Sequence, residues 1–187
     1  MEYTINIKGH LMDLSTPQVM GILNVTPDSF YSGSRKQTEK EIADRANQII
    51  EEGGSIIDVG AFSTRPGADE VSEEEEGRRL KFALDIVRRE QSNVAISVDT
   101  YRPTLARKCI EEWGADIIND VSEGGITGIA NVPLEQREEE CPEMFRLVGE
   151  LKVPYILMSV QPTLATMMKG FAKEVQQLRD LGAKDII

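Results

Sequence analysis

The chain has 187 residues, a length that suits one domain with a sizeable core. Its 40% apolar and 28% charged residues are ordinary for a globular protein, while a formal net charge of −11 argues against nonspecific binding to nucleic acid or to an anionic membrane. Cys109 and Cys141 have no metal-like spacing, no signal peptide opens the chain, and no run of about 18 apolar residues occurs. These features predict a cytoplasmic protein without disulfides.

The first element along the chain is a predicted β-hairpin, in the stretch YTINIKGHLMDL. It contains His10, which we expect at the surface. Because these 187 residues include one histidine, they cannot form a multi-histidine metal site. Five short apolar runs after the hairpin predict buried strands. They cover residues 18–25, 55–61, 94–100, 115–122 and 153–160.

Helices are predicted between these strands, because apolar residues recur there with the period of an amphipathic helix. Thr38 with Glu41, and Ser72 with Glu75, predict capping boxes. The run 73–76 reads as a solvated first helical turn. The last predicted helix turns Leu164 and Met168 toward the core, and residues 183–187 read as the start of a sixth strand.

Repeated βα units predict a parallel sheet, either open or closed into a barrel, with ligands at the C-terminal ends of its strands. No GxGxxG follows the first strand, which disfavours a dinucleotide fold. Asp or Asn occurs at or near the ends of four neighbouring strands, where such side chains match the donors and acceptors of a nitrogen heterocycle. Arg65, in a loop rich in Pro and Gly, is the candidate phosphate clamp. The strand-end residues are Asn24, Asp58, Asp99, Asn119 and Asp120.

Four motifs carry a resemblance to a known family. GILNVTPDSF, IIDVGAFSTRPGA, ISVDT and IINDVS resemble, in order and spacing, the signature motifs of the dihydropteroate synthases. The resemblance implies an α/β fold of the (β/α)8 TIM-barrel type, of which residues 1–187 form a single pterin-binding domain. The chain holds about five to six βα units after the hairpin, so we expect a domain that is incomplete at its C-terminal end.

The resemblance also implies a transferase of folate biosynthesis. Its reaction joins 6-hydroxymethyl-7,8-dihydropterin diphosphate to 4-aminobenzoate and releases diphosphate. The implied partners are these two small molecules, and the implied assembly of the full-length protein is a homodimer.

Residue roles follow from the same resemblance. Asp99, Asn24 and Arg65 are the expected catalytic residues. Thr64, Asp99, Asn119 and Met158 are expected at the pterin, and Asn24 at a Mg²⁺ ion that neutralises the diphosphate. Mobile loops are expected over residues 26–36 and 63–70; they contain Thr26, Asp28, Phe30, Ser63 and Arg65.

The chain departs from the family pattern in two places. Ser159–Pro162 replaces the usual His-Met-like segment after the fifth strand, and the later Asp, Lys and Arg motifs are not in the sequence. We therefore expect this chain itself to be inactive. Two alternatives stay open: a pterin-dependent methyltransferase domain and a non-catalytic pterin-binding fragment.

Overall fold

The computed structural model describes residues 3–25, 35–62, 71–124 and 141–187. Strands and helices alternate along the chain, as the sequence pattern predicts. The strands are β1 (Thr4–Ile7), β2 (His10–Asp13), β3 (Met20–Asn24), β4 (Ile56–Gly60), β5 (Ala95–Asp99), β6 (Ile117–Asp120) and β7 (Tyr155–Leu157). The helices are α1 (Arg35–Glu51), α2 (Glu73–Glu90), α3 (Pro103–Glu111), α4 (Glu143–Leu151) and α5 (Leu164–Asp180).

Strands β3 to β7 form one parallel sheet in sequence order. Each lies inside its predicted range and is shorter than predicted. Ile186 forms a parallel bridge with Tyr155, so the prediction that a sixth strand begins near the end of the chain is confirmed. Sequential βα units with a sheet of this order are the architecture of a parallel barrel.

The two faces of this sheet pack against different partners, because side chains alternate along each strand. One face is mainly apolar and packs on the helices; its members include Leu23, Val59, Val98, Ile118 and Tyr155. The opposite face is more polar toward the C-terminal ends of the strands and apolar at their N-terminal ends. There Ile56, Ala95 and Ile117 form a small second cluster with Ile5 of the hairpin.

The hairpin covers the N-terminal end of the sheet. Its two-residue turn places Lys8 and Gly9 at positive φ, the geometry favoured where two antiparallel strands reverse tightly. Lys8 Nζ then lies 2.7 Å from Asp116 Oδ1, while Arg88 Nη2 lies 2.8 Å from Asp116 Oδ2. This charged network ties the hairpin to α2 and to the segment before β6. His10 is exposed, as expected.

Two predictions about helix starts need correction. Helix α1 already includes Arg35 and Lys36, so Thr38 is a buried helical residue and not the cap of a box with Glu41. It also means that the predicted loop 26–36 extends two residues too far. The cap at Ser72 is confirmed, since its side chain accepts a hydrogen bond from Glu75 N at 3.3 Å.

Two predictions about burial are also wrong. Glu76 is fully buried instead of solvated, because it points toward polar partners at the C-terminal end of β5. Leu164 and Met168 are 70% and 59% exposed, so the first half of α5 does not contribute them to the core. The second half does pack, through Phe171, Val175 and Leu178.

Both cysteines are free thiols in the structure. Cys109 is buried on the packing face of α3, and desolvation raises the pKa of its thiol. Among the described residues no helix is long and apolar enough to cross a bilayer.

Candidate functional site

Three of the predicted strand-end residues form one row across the sheet, together with Gly60. Asn24 is the register partner of Gly60, Gly60 of Asp99, and Asp99 of Asn119. Asn24, Gly60 and Asp99 are the last residues of β3, β4 and β5, and Asn119 is the last residue but one of β6. Strands β3, β5 and β6 therefore bring polar residues to the same end of the sheet, on the face not covered by helices, and β4 contributes Gly60 between them.

Gly60 allows the side chains on either side of it to converge. A Cβ atom at residue 60 would lie 3.0 Å from Asn24 Oδ1 and 3.4 Å from Asp99 Oδ2. The first distance is shorter than an ordinary contact, so a side chain here would push Asn24 away. The sequence pattern did not assign Gly60 a role, although a glycine that ends a buried apolar strand signals a close approach.

Asn119 of this row is joined by a hydrogen bond to Asp58, which lies two positions before Gly60 on β4. Asn119 Nδ2 donates to Asp58 Oδ2 at 3.1 Å, and both residues are buried. The buried atoms Asp58 Oδ1 and Ser97 Oγ have no hydrogen-bond partner of good geometry among the described residues. The Ser97 hydroxyl nevertheless lies beside the Asp58 carboxyl, since it lowers the pKa of that group.

The electrostatics of the site raise the pKa of two of its carboxyl groups. Burial, reinforced by the nearby charges of Asp58, Asp120 and Glu76, raises the pKa of Asp99 to about 7. Burial also raises the pKa of Asp58, opposed by the Ser97 hydroxyl and the Asn119 amide. A ligand that donates hydrogen bonds would stabilise these carboxylates and replace the lost solvation.

Asp120, the neighbour of Asn119, has a structural role instead. Its carboxylate accepts hydrogen bonds from Ser122 N at 2.7 Å, Gly124 N at 2.8 Å and the Tyr155 hydroxyl at 2.6 Å. These contacts tie the turn after β6 to β7 on the helix-facing side. The strand alternation thus separates two adjacent polar residues, and only Asn119 reaches the site.

Comparison with known proteins gives the family. The model of the family described as "Pterin binding enzyme" matches residues 20–182. The chain belongs to this pterin-binding enzyme family. The match includes every strand of the parallel sheet and the whole row of polar strand ends.

Similar members of this family are dihydropteroate synthases. The dihydropteroate synthase of Escherichia coli K12 is 39% identical over 163 residues, which are 87% of this chain and 52% of that protein. The solved structure of the Xanthomonas albilineans dihydropteroate synthase with 4-aminobenzoic acid has a TM-score of 0.77 and 28% identity, over 98% of this chain and 64% of that one. The same enzyme in complex with 7,8-dihydropteroate gives a TM-score of 0.73 at 27% identity, over 97% and 62%.

The chain spans about half the length of the curated E. coli relative and less than two-thirds of these solved structures. The (β/α)8 barrel expected from the family motifs is confirmed as the fold class, since the solved relatives are barrels of this family.

The remaining predicted site residues fall into two groups. Met158 directly follows β7, two positions after Ile156 on the same face, and is 42% exposed; a contact with a ligand there stays a prediction. The others lie outside the described residues. They are Thr26, Asp28, Phe30, Ser63, Thr64 and Arg65.

The donor set for the predicted Mg²⁺ is small. Among the described residues, no group of three His, Cys, Asp or Glu side chains is placed to hold a metal ion. Mg²⁺ commonly binds through one or two protein oxygens together with substrate phosphates. The exposed carboxamide oxygen of Asn24, at the mouth of the site, fits that mode as a single ligand and not as part of a cage.

Proposed function

We propose that this chain forms the pterin-binding part of a dihydropteroate synthase. The observation that carries the proposal is the cluster of Asp58, Asp99 and Asn119, on one face and at one end of a parallel sheet. The similarity to dihydropteroate synthases, including one solved with dihydropteroate, supports the ligand class.

The proposed pterin contacts follow from the hydrogen-bonding capacity of the side chains. Because the Asn119 amide nitrogen donates to Asp58, its carbonyl oxygen is directed to accept from a ring N–H. The Asp99 carboxylate accepts from a second ring N–H or from the exocyclic amino group. Ser97, whose hydroxyl is buried beside Asp58, supplies a group that can donate or accept. Met158 covers the ring edge.

The proposed reaction breaks the C–O bond between the pterin methylene and the diphosphate and forms a C–N bond to the 4-aminobenzoate nitrogen. The diphosphate leaves with the electron pair of the broken bond, and the arylamine releases a proton. Mg²⁺ bound at Asn24 would neutralise charge on the diphosphate. From sequence alone, Thr64 and Arg65 are the proposed contacts to the diphosphate and the aminobenzoate, with Arg65 stabilising the departing charge.

The small-molecule substrates are thus a dihydropterin diphosphate and 4-aminobenzoate. The homodimer of the full-length protein and a cytoplasmic location stay predictions. No observation favours the methyltransferase alternative.

The test is diphosphate release from 6-hydroxymethyl-7,8-dihydropterin diphosphate, with and without 4-aminobenzoate, together with calorimetric titration of the pterin. Release that depends on 4-aminobenzoate and yields dihydropteroate supports the synthase. Pterin binding without release supports a non-catalytic pterin-binding chain. Failure to bind the pterin at all contradicts both, provided that circular dichroism shows a folded chain.

A further inference from the structure

A buried ion pair lies beside the candidate site, between α2 and the segment that follows β5. Glu76 is fully buried, and its carboxylate accepts from Thr100 Oγ1 at 2.7 Å and from Arg102 Nη1 at 2.5 Å. Thr100 directly follows Asp99 of the site. Desolvation raises the pKa of Glu76, opposed by these two partners. Burying a charge is costly even when it is paired, so such a pair calls for a role other than stability.

The guanidinium of Arg102 makes contacts beyond this pair. Its Nη2 donates to the backbone oxygen of Val71 at 2.7 Å. Its central carbon lies 4.9 Å from the ring centre of Tyr101 and 5.9 Å from that of Phe62. The two rings also contact each other edge to face, with centres 5.1 Å apart.

Phe62 and Val71 lie near the two ends of the segment that connects β4 to α2. They flank residues 63–70 within the β4–α2 connection, defined as residues 61–72. One planar cation, itself held by a buried carboxylate, therefore contacts the connection on its β4 side by stacking and on its α2 side by a hydrogen bond. A guanidinium is suited to this because it combines a fork of donors with a flat face.

We propose that Arg102, oriented by Glu76, is a positioning residue that fixes both ends of the β4–α2 connection relative to Asp99. The effect of this positioning on substrate binding rests on the proposed function, in which the connection contributes the contacts to the diphosphate. Arg102 itself is not proposed to touch substrate.

The first test is hydrogen exchange measured by mass spectrometry on the full 187-residue chain. The Glu76→Gln/Arg102→Met double variant removes both buried charges together, so that neither is left unpaired. We expect amide exchange in peptides that contain Phe62 and Val71 to accelerate about tenfold or more, while exchange in β6 and α4 is unchanged. The matched control is Arg107→Met/Glu150→Gln, which removes an exposed pair between α3 and α4; it should leave the connection unaffected.

Arg102→Lys provides a second variant should the double variant not fold. A lysine keeps the charge beside Glu76 but lacks the planar face and the second donor group. Accelerated exchange at both ends of the connection is again expected. Unchanged exchange at Phe62 and Val71 in a variant with native circular dichroism would overturn the proposal.

A second measurement compares affinities for 6-hydroxymethylpterin with and without its diphosphate. We expect the double variant to lose about tenfold in affinity for the diphosphate form. Its affinity for 6-hydroxymethylpterin without the diphosphate should stay within about twofold of wild type, since the proposed ring contacts come from other residues. Equal losses for both ligands would contradict the positioning role. If the wild-type chain binds neither compound, the proposed function fails, while the exchange experiment still decides the role of Arg102.

Discussion

Asn119 and Asp58 are hydrogen-bonded across an intervening strand. Asn119 lies on β6 and Asp58 on β4, yet the amide nitrogen and the carboxylate oxygen are 3.1 Å apart, above β5. The bond links β4 and β6 across β5, on the face of the sheet that helices do not cover. It also sets the orientation of the amide, which leaves its carbonyl oxygen and its second N–H group for a ligand.

The first prediction concerns Asp99. Asp99→Asn replaces a carboxylate acceptor by an amide, which leaves a pterin N–H opposite a donor or forces the amide to turn. Pterin affinity should fall by about 1–3 kcal/mol, the usual scale of a buried polar mismatch. Titration calorimetry measures this, with Asp85→Asn on the exposed face of α2 as the control. Wild-type affinity in a folded Asp99→Asn chain would exclude the pterin role.

The second prediction concerns the space above Gly60. In Gly60→Ala the new methyl group meets Asn24 Oδ1 at 3.0 Å, so Asn24 must move and Asp99 is crowded. We expect pterin affinity to fall by about fivefold or more with little loss of stability, since the site and not the core is disturbed. Gly170→Ala in α5, where the methyl group makes only ordinary contacts, is the control. Similar affinity for both variants would show that the close approach has no function.

The third prediction is a pH dependence of stability. The pKa of Asp99 is about 7 in the folded chain and 3.8 as its ordinary value, so the folded state binds the proton more tightly. Its contribution to stability is therefore present below about pH 4 and is lost as pH rises to about 7. We expect the unfolding free energy to lose about 2–4 kcal/mol from this group over that interval.

Urea unfolding of the wild-type chain and of Asp99→Asn, at several pH values, isolates this contribution. The difference in unfolding free energy between the wild type and Asp99→Asn should change between about pH 4 and pH 7 and then level off. Asp85→Asn should run parallel to the wild type. An Asp99→Asn curve that also runs parallel to the wild type would contradict the raised pKa.

The fourth prediction concerns the charged network at the N-terminal end of the sheet. Arg88 donates to Asp116 and to the backbone oxygens of Val94 and Gly114. Arg88→Met leaves the buried Asp116 with Lys8 as its remaining cation among the described residues, and should cost about 3 kcal/mol in urea unfolding.

Lys8 is the control for this network, since it is half exposed and its pair with Asp116 is screened by water. Lys8→Met should cost about 1 kcal/mol or less. Pterin affinity of the folded protein should be unchanged in both variants, because the network lies at the opposite end of the sheet. Equal costs for the two variants would show that Arg88 has no special role.

The sequence was sufficient to predict the parallel sheet, because short apolar runs alternate along the chain with segments that have the period of an amphipathic helix. It also predicted that Asn24, Asp99 and Asn119 share one end of that sheet, since parallel strands all point the same way. That step needs only strand direction and alternation.

Other features depended on packing that no local pattern encodes. Glu76 reads as one of four surface glutamates, and its burial is decided by the distant Thr100 and Arg102. Leu164 has the spacing of a core residue, but no described element covers it. Gly60 acquires its role only from the side chains of the two neighbouring strands.

The most direct test of the proposed function is a crystal structure of the chain with 6-hydroxymethylpterin. We expect the ring at the C-terminal end of the sheet, with its nitrogens at about 2.7–3.2 Å from Asp99 and from the Asn119 carbonyl oxygen. A pterin bound elsewhere, or at this end without contact to Asp99 and Asn119, would contradict it.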